Sequence, residues 1–130
     1  FPVFLNDAGK VSEGPGACIF MIRNNVLVTP PTTASILESI TRETIIELAE
    51  NELNMKVEVR DVDRTELYIA DELFFCGTAV EVVPIISMDK IKVGNGKIGH
   101  HTQLIIDEYF NIVRGENKKY LHYLTPIKND

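Results

Sequence analysis

The sequence predicts a mixed α/β fold in which residues 1–130 form a single domain. Three observations support this prediction. A length of 130 residues suits one compact core. Short apolar runs typical of strands alternate with segments whose apolar residues recur at helical spacing. No internal repeat or low-complexity segment divides the chain, so strands and helices are expected to share that core.

The first elements are predicted to be strands. Short strands are expected at residues 1–5 and 11–12, with a turn between them. Two longer apolar runs, at residues 17–22 and 26–29, are separated by an arginine and two asparagines. Asparagine tolerates the left-handed backbone of tight turns, so these two runs predict a β-hairpin.

The clearest helix is predicted at residues 41–53. Its apolar residues recur at helical spacing, at Ile45, Leu48, Ala49 and Leu53. Asn54 is suited to end the helix because asparagine accepts a left-handed backbone. Val57 and Val59 then alternate with charged residues, as in a half-buried strand.

A second, shorter helix is predicted after Asp63, because Asp63 and Glu66 have the spacing of a capping box. Apolar strands are expected at residues 73–76 and 79–86, with a bend at Pro84, since proline donates no hydrogen bond to a sheet.

The chain then continues with a predicted strand at residues 90–93 and a long helix at residues 102–113. Gly115 is placed to terminate this helix. The helical spacing predicts four buried positions: Ile105, Tyr109, Ile112 and Val113.

Composition and charge argue against several classes of partner. The net charge of −6 is interleaved along the chain and leaves no basic stripe for nucleic acid. No run approaches the roughly 20 apolar residues that a membrane-spanning helix needs, so a soluble protein is expected. Cys18 and Cys76 show neither metal-ligand spacing nor a disulfide framework, which predicts reduced thiols, a cytoplasmic protein and no metal site.

The first residues form an apolar, strand-like run with neither an initiator methionine nor the features of a signal peptide. Natural chain starts are usually polar and loose. The sequence is therefore expected to begin inside a longer protein.

Three small features could carry chemistry, although each has a commoner structural explanation. Glu13 precedes a glycine-rich turn, where a flat ligand could approach the backbone, but it could equally lie in a surface turn. Ile40 and Thr41 begin the strongest helix, and a helix start can hold a phosphate or simply be capped. Thr78 and Ala79 follow Gly77 between two strands, where N–H groups could hold an anion or the glycine could mark a bulge.

These features occur in a recognisable order. The motifs are V-S-E-G-P-G at residues 11–16, V-T-P-P at 28–31, S-I-L-E-S-I-T-R at 35–42, L-Y-I-A-D-E-L-F-F-C-G-T-A-V-E-V-V-P-I at 67–85 and V-G-N-G-K-I-G at 93–99. Together they resemble the class IV aminotransferases that depend on pyridoxal 5′-phosphate (PLP), most closely the branched-chain amino-acid enzymes. The resemblance extends from near residue 3 to about residue 125, and it implies the large pseudo-barrel domain of that D-amino-acid-aminotransferase-like fold.

The resemblance implies a role for each feature. Glu13 matches the glutamate that pairs with the pyridine nitrogen of PLP, and Leu37 matches the leucine that packs on the pyridine ring. The other matched cofactor residues hold the phosphate: Ile40, Thr41 and Thr78. The N–H groups around Thr78 and Ala79 match a turn that also receives the substrate carboxylate.

The family's Schiff-base lysine lies well upstream of the glutamate matched by Glu13, so no catalytic residue is expected in this chain. Lys10 lies too close to Glu13 to match it. The small N-terminal domain is expected to be absent as well. His100 and His101 match no catalytic position and are interpreted as structural.

Two residues depart from the family pattern near the expected site. Cys18 stands where an asparagine is common, and Glu38 with Ser39 replaces a frequent proline-glycine pair. A carboxylate beside a bound phosphate is unfavourable, so Glu38 is predicted to point outward.

The resemblance implies transfer of an amino group between branched-chain L-amino acids and 2-oxoglutarate, with glutamate and 2-oxo acids as the other partners, in a homodimer or higher homo-oligomer. The chain supplied is expected to be inactive alone. Two alternatives remain open. One is a related enzyme, a D-amino-acid aminotransferase or an aminodeoxychorismate lyase, and the other is a non-catalytic module that binds PLP or a metabolite.

Overall fold

The computed structural model describes residues 5, 9–11, 13–14, 17–31, 40–77 and 81–113. The helices are α1 (Ile40–Asn51), α2 (Arg64–Ile69) and α3 (His100–Val113). The strands are β1 (Glu13–Gly14), β2 (Ala17–Arg23), β3 (Val26–Thr29), β4 (Lys56–Val59), β5 (Glu72–Gly77), β6 (Glu81–Ile85), β7 (Ser87–Met88) and β8 (Ile91–Lys92). The mixed α/β class predicted from the sequence is confirmed.

One sheet organises the described part of the chain, with strand order β4-β3-β2-β5-β6. β1 joins β2 on the same side as β3, and β7 and β8 form a separate hairpin. Within the large sheet, β3 and β4 pair in parallel and the other described pairs are antiparallel. The parallel pair is connected through α1, as in a βαβ unit.

The predicted hairpin is confirmed as β2 and β3. Asn24 and Asn25 have φ angles of 52° and 64°, so both lie in the left-handed region that a tight hairpin turn requires. The backbone N–H of Asn24 also donates to Oδ2 of Asp71, at 2.9 Å. The local choice of two asparagines thus sets the register in which β2 pairs with β3.

The sheet is covered on both faces, because successive side chains of a strand point in opposite directions. Cys18, Phe20 and Ile22 of β2 pack in a cluster with residues of α1 and α3. Ile19 and Met21 point the other way, into a cluster that includes residues of α2. Burial on both faces explains why β2 is a continuous apolar run rather than an alternating one.

The helix predictions are confirmed with changed ends. α1 ends at Asn51, and Asn54 then adopts a φ of 52° while the N–H of Met55 donates to the carbonyl oxygen of Ala49, at 2.8 Å. α3 begins at His100, two residues before the predicted start. Ile105 and Ile112 are buried as predicted and Tyr109 is partly buried.

Two expectations were wrong. Val113 is 43% exposed, because it lies at the last turn of α3 beyond the contact with the sheet. The strand predicted at residues 90–93 shrinks to the two residues of β8, since Asp89 and Lys90 take positive φ angles of 50° and 65° and form a turn. Gly115 and most of residues 1–5 lie outside the described residues.

Within the described ranges, every helix is too short or too polar to cross a bilayer.

Candidate functional site

The structure describes three of the predicted site residues. Glu13 lies in β1, and Ile40 and Thr41 are the first two residues of α1. Leu37, Thr78 and Ala79 fall in the ranges 32–39 and 78–80, outside the described residues, as does the prediction that Glu38 points outward.

Strand pairing places Glu13 and the end of β5 in one row across the sheet. Glu13 pairs with Cys18, and Cys18 pairs on its other side with Cys76. Neighbouring strands lie about 5 Å apart, so the backbones of Glu13 and Cys76 are separated by about 10 Å. Gly77 ends β5 at this edge, directly before Thr78. Two features that are distant in sequence thus meet at one edge of the sheet.

The start of α1 offers donors for an anion. The first N–H groups of a helix have no partner within the helix, and its dipole is positive at this end. Ile40 is 69% exposed, whereas Thr41 is 6% exposed. Backbone N–H groups and a threonine hydroxyl are a donor set that fits a phosphate dianion.

Arg42 brings this helix start to the same edge of the sheet. Its guanidinium Nη2 donates to the carbonyl oxygen of Pro30, at 3.1 Å, and Pro30 directly follows β3. A hydrogen bond with Cys18 and burial raise the pKa of the Cys76 thiol, and the positive charge of Arg42 opposes that increase. The helix that Arg42 begins also packs on β5, because Ile45 and Leu48 lie in one core cluster with Cys76.

Cys18 and Cys76 are buried, form no disulfide and occupy directly opposed positions of β2 and β5. Because the pKa of Cys76 is raised above its usual range, this thiol stays protonated near neutral pH. A protonated, buried thiol is a poor nucleophile. The pair packs in the core beneath the candidate site rather than supplying its chemistry.

The residues that the sequence analysis set aside have structural partners. Lys10 forms an ion pair with Asp63, which precedes α2, and this contact raises the pKa of the lysine. Nδ1 of His101 lies 2.9 Å from Oε2 of Glu72. Both contacts agree with the interpretation that these residues have local structural roles.

Glu72 was not singled out from the sequence, yet its carboxylate holds the start of α3. It accepts hydrogen bonds from the backbone N–H groups of Thr102, at 2.7 Å, and of His101, at 3.2 Å. Burial raises the pKa of Glu72, but the hydrogen bonds from Thr102 and His101 outweigh burial and leave the pKa below its usual value. An acidic residue at the start of the otherwise apolar strand β5 was the available signal.

A cavity of about 440 Å³ lies elsewhere, between α2, β6 and the β7–β8 hairpin. Its lining is largely apolar and includes Leu67, Phe75, Pro84 and Met88. Among the residues that the structure describes, Cys18, Cys76, Ile40 and Thr41 do not line this cavity. We therefore locate the candidate site at the sheet edge, where the anion donors are, rather than in this cavity.

Comparison of the chain with known families identifies the class of protein to which it belongs. The family model described as amino-transferase class IV matches residues 1–88. The chain belongs to the class IV aminotransferase family.

Its relatives within this family are branched-chain enzymes. The chain is 46% identical over 125 residues to the probable branched-chain-amino-acid aminotransferase of Aquifex aeolicus, covering 96% of this chain and 40% of that protein. It is 40% identical over 127 residues to the branched-chain-amino-acid aminotransferase of Salmonella typhimurium, covering 98% and 41%. The chain thus spans about two fifths of the length of these relatives.

Solved structures agree with this. The holo-form, PLP-form branched-chain aminotransferase of Thermobaculum terrenum superposes with a TM-score of 0.92 at 47% identity, covering 98% of this chain and 41% of that one. The branched-chain aminotransferase of the thermophilic archaeon Thermoproteus uzoniensis, solved with norvaline, gives a TM-score of 0.90 at 46% identity, covering 97% and 41%.

Proposed function

We propose that the protein carrying this chain is a branched-chain amino-acid transaminase that uses PLP, and that residues 1–130 form its single cofactor-binding large domain. The observation that carries this proposal is the meeting of Glu13, the end of β5 and the start of α1 at one edge of the sheet. The names of the relatives reported above support branched-chain amino acids as substrates, and the resemblance implies their L forms with 2-oxoglutarate as the amino-group acceptor.

The start of α1 and the residues after Gly77 would hold the cofactor phosphate. The N–H groups of Ile40 and Thr41 point out of the first turn of α1, where the helix dipole favours an anion. The hydroxyl of Thr41 would add a donor, and the resemblance implies a further donor at Thr78. These groups bind and orient; they take no part in proton transfer.

Glu13 would pair with the pyridine nitrogen of PLP, and Leu37 would pack against the face of the pyridine ring. When bound, PLP supplies an electron sink for the charge that develops at the substrate α-carbon. A carboxylate facing the ring nitrogen holds the proton there, which keeps the ring electron-poor. Backbone N–H groups of Thr78 and Ala79 would receive the substrate carboxylate, so one turn would orient both cofactor and substrate.

The lysine that removes and returns the α-proton is not assigned to this chain. Lys10 is committed to Asp63 at the start of α2. We therefore propose that the 130 residues alone are inactive and that the remaining three fifths of a protein as long as its relatives supply this lysine and the side-chain specificity.

Substrate profiling of the full-length protein tests the proposal. We expect turnover of leucine, isoleucine or valine with 2-oxoglutarate. Turnover confined to D-amino acids, or release of pyruvate from aminodeoxychorismate, would assign the protein to another enzyme of this fold. A full-length protein that shows no Schiff-base absorbance band after reconstitution with PLP would instead indicate a non-catalytic module.

A matched pair of variants tests the role of Glu13. Replacing Glu13 with alanine should leave PLP bound through its phosphate while turnover falls by orders of magnitude, because the ring nitrogen loses its partner. The control is Glu58→Ala, on the edge strand β4, which should leave turnover unchanged. Equal turnover in the Glu13 variant and the wild type would contradict the assignment.

We also propose a cytoplasmic, homodimeric or larger assembly. Two buried cysteines that form no disulfide suit a reducing compartment, and the oligomeric state follows from the resemblance alone. Light scattering coupled to size exclusion would measure it, and a monomeric full-length protein would contradict it.

A further inference from the structure

Arg42 is a buried cation in the first turn of α1. Its side chain is 4% exposed. A positive charge is disfavoured at this end of a helix because it opposes the helix dipole, and burying a charge adds a desolvation cost. The contacts of Arg42 must therefore outweigh two unfavourable terms, and they indicate what the residue does.

The first contacts join the start of α1 to the end of β3. Nη2 donates to the carbonyl oxygen of Pro30 at 3.1 Å, and Nη1 lies 2.9 Å from Oε1 of Glu43. The planar guanidinium presents several donors in fixed directions, so one side chain satisfies both partners at once. The first turn of α1 is thereby fixed to the residue that follows β3.

The second relation is with the end of β5. α1 packs on β5, because Ile45 and Leu48 of the helix lie in one core cluster with Cys76, which precedes Gly77. Arg42 thus fixes the first turn of a helix whose body packs near the end of β5.

We propose that Arg42 is a positioning residue for the phosphate seat, by which we mean the phosphate donors proposed at Ile40, Thr41 and Thr78. Arg42 holds the first turn of α1 in place, so that the N–H groups of Ile40 and Thr41 keep the direction in which they would bind the anion. This inference rests on the proposed function. Arg42 itself does not need to touch the phosphate.

Arg42 also balances a negative charge beside the phosphate seat. Glu43, in the same first turn, is 51% exposed and would repel a phosphate dianion if its charge were not balanced. Arg42 provides that balance through its contact with Oε1 of Glu43. Substitution of Arg42 by glutamine therefore removes the tether and leaves the carboxylate unbalanced, whereas lysine keeps a charge but lacks the fork that reaches both partners.

The experiment measures the binding of PLP and of pyridoxal, which lacks the phosphate, to the full-length apo-protein by equilibrium dialysis. Arg42→Gln should weaken PLP binding about 10- to 100-fold, the cost of losing a charged hydrogen bond, and should leave pyridoxal binding unchanged. Arg42→Lys should fall between the two. The matched control is Arg23→Gln, at the opposite end of β2, which should change neither dissociation constant.

The outcomes separate this inference from the proposed function. A wild-type protein that binds PLP no more tightly than pyridoxal would overturn the proposed phosphate seat itself. A wild type that prefers PLP, together with Arg42 variants that keep the same preference, would overturn only the role of Arg42. If Arg42→Gln does not fold, the lysine variant decides, since wild-type affinity for PLP in Arg42→Lys would refute the tether.

Discussion

Replacement of Gly99 by alanine should destabilise the protein, although a Gly→Ala change usually stabilises. Gly99 does not have a positive φ, so an alanine is not strained by its backbone, and the loss of chain entropy would favour it by about 0.4–1 kcal/mol. The obstacle is Glu72. A Cβ on Gly99 would lie 2.1 Å from Cδ and 2.2 Å from Oε1 of Glu72.

The magnitude follows from what Glu72 would lose. Its side chain is 9% exposed and is held by Thr102 N at 2.7 Å and His101 N at 3.2 Å. The new methyl group forces the carboxylate away from these N–H groups, so α3 loses its cap. Losing a cap costs about 1–2 kcal/mol, and weakening charged hydrogen bonds adds to this. We expect a net destabilisation of about 2 kcal/mol.

Thermal unfolding of the full-length protein measures this change, and hydrogen exchange at the α3 amides locates it. A loss of about 2 kcal/mol should lower the unfolding temperature by several degrees. The double variant with Glu72→Ala is the control, because without the carboxylate the alanine at position 99 has nothing to displace. Additive effects of the two changes, or a stabilised Gly99→Ala protein, would refute the reasoning.

Three further predictions follow from other contacts. A hydrogen bond from Arg60 lowers the pKa of Glu66 to about 2, so the stabilising contribution of Glu66 is present above about pH 5 and is lost as the pH falls through the folded pKa. The free energy of unfolding in urea should therefore be about 1–2 kcal/mol higher at about pH 6 than at about pH 3 on account of Glu66, and this difference should be absent from Glu66→Gln. An equal pH dependence in that variant would contradict this assignment. Phe20 is fully buried and stacks on Phe74 with ring centroids 5.1 Å apart, so Phe20→Ala should lower the free energy of unfolding in denaturant by about 3–5 kcal/mol. A decrease below about 1 kcal/mol would show that the core relaxes around the cavity left by the ring. Thr78→Ala should weaken PLP binding by about 1.5–3 kcal/mol without affecting pyridoxal, and an unchanged dissociation constant for PLP would remove Thr78 from the phosphate seat.

Local sequence was sufficient wherever neighbouring residues decide the structure. The asparagines of the β2–β3 turn and Asn54 after α1 all take the left-handed backbone expected of them. The capping box also forms, since the N–H of Asp63 lies 3.4 Å from Oε1 of Glu66. In each case the partners are close along the chain, so a motif can specify them. The wrong prediction at Lys90 is also a local one. The alternating pattern of residues 90–93 is typical of a strand, but Lys90 belongs to the turn before β8.

The candidate site was only partly accessible from the sequence. The family resemblance named Glu13, Ile40 and Thr41, but the residue pattern could not place them together. The pairing of β1 with β2 and of β2 with β5 brings Glu13 into line with the end of β5, more than 50 residues further along the chain. The hydrogen bond from Arg42 to Pro30 brings the start of α1 to the same end of the sheet. Backbone pairing between distant strands has no local signal, so only the folded sheet reveals it.

The sequence by itself determined where the helices and the β2–β3 hairpin form, because spacing, caps and turn residues act over a few positions. The tertiary structure decided which side chains those elements bring together. Glu72 caps α3 from 30 residues away along the chain, and Arg42 joins the start of α1 to Pro30. Each is a charged residue whose role depends on burial beside N–H or carbonyl groups of another segment, and burial of that kind exists only after the chain has folded.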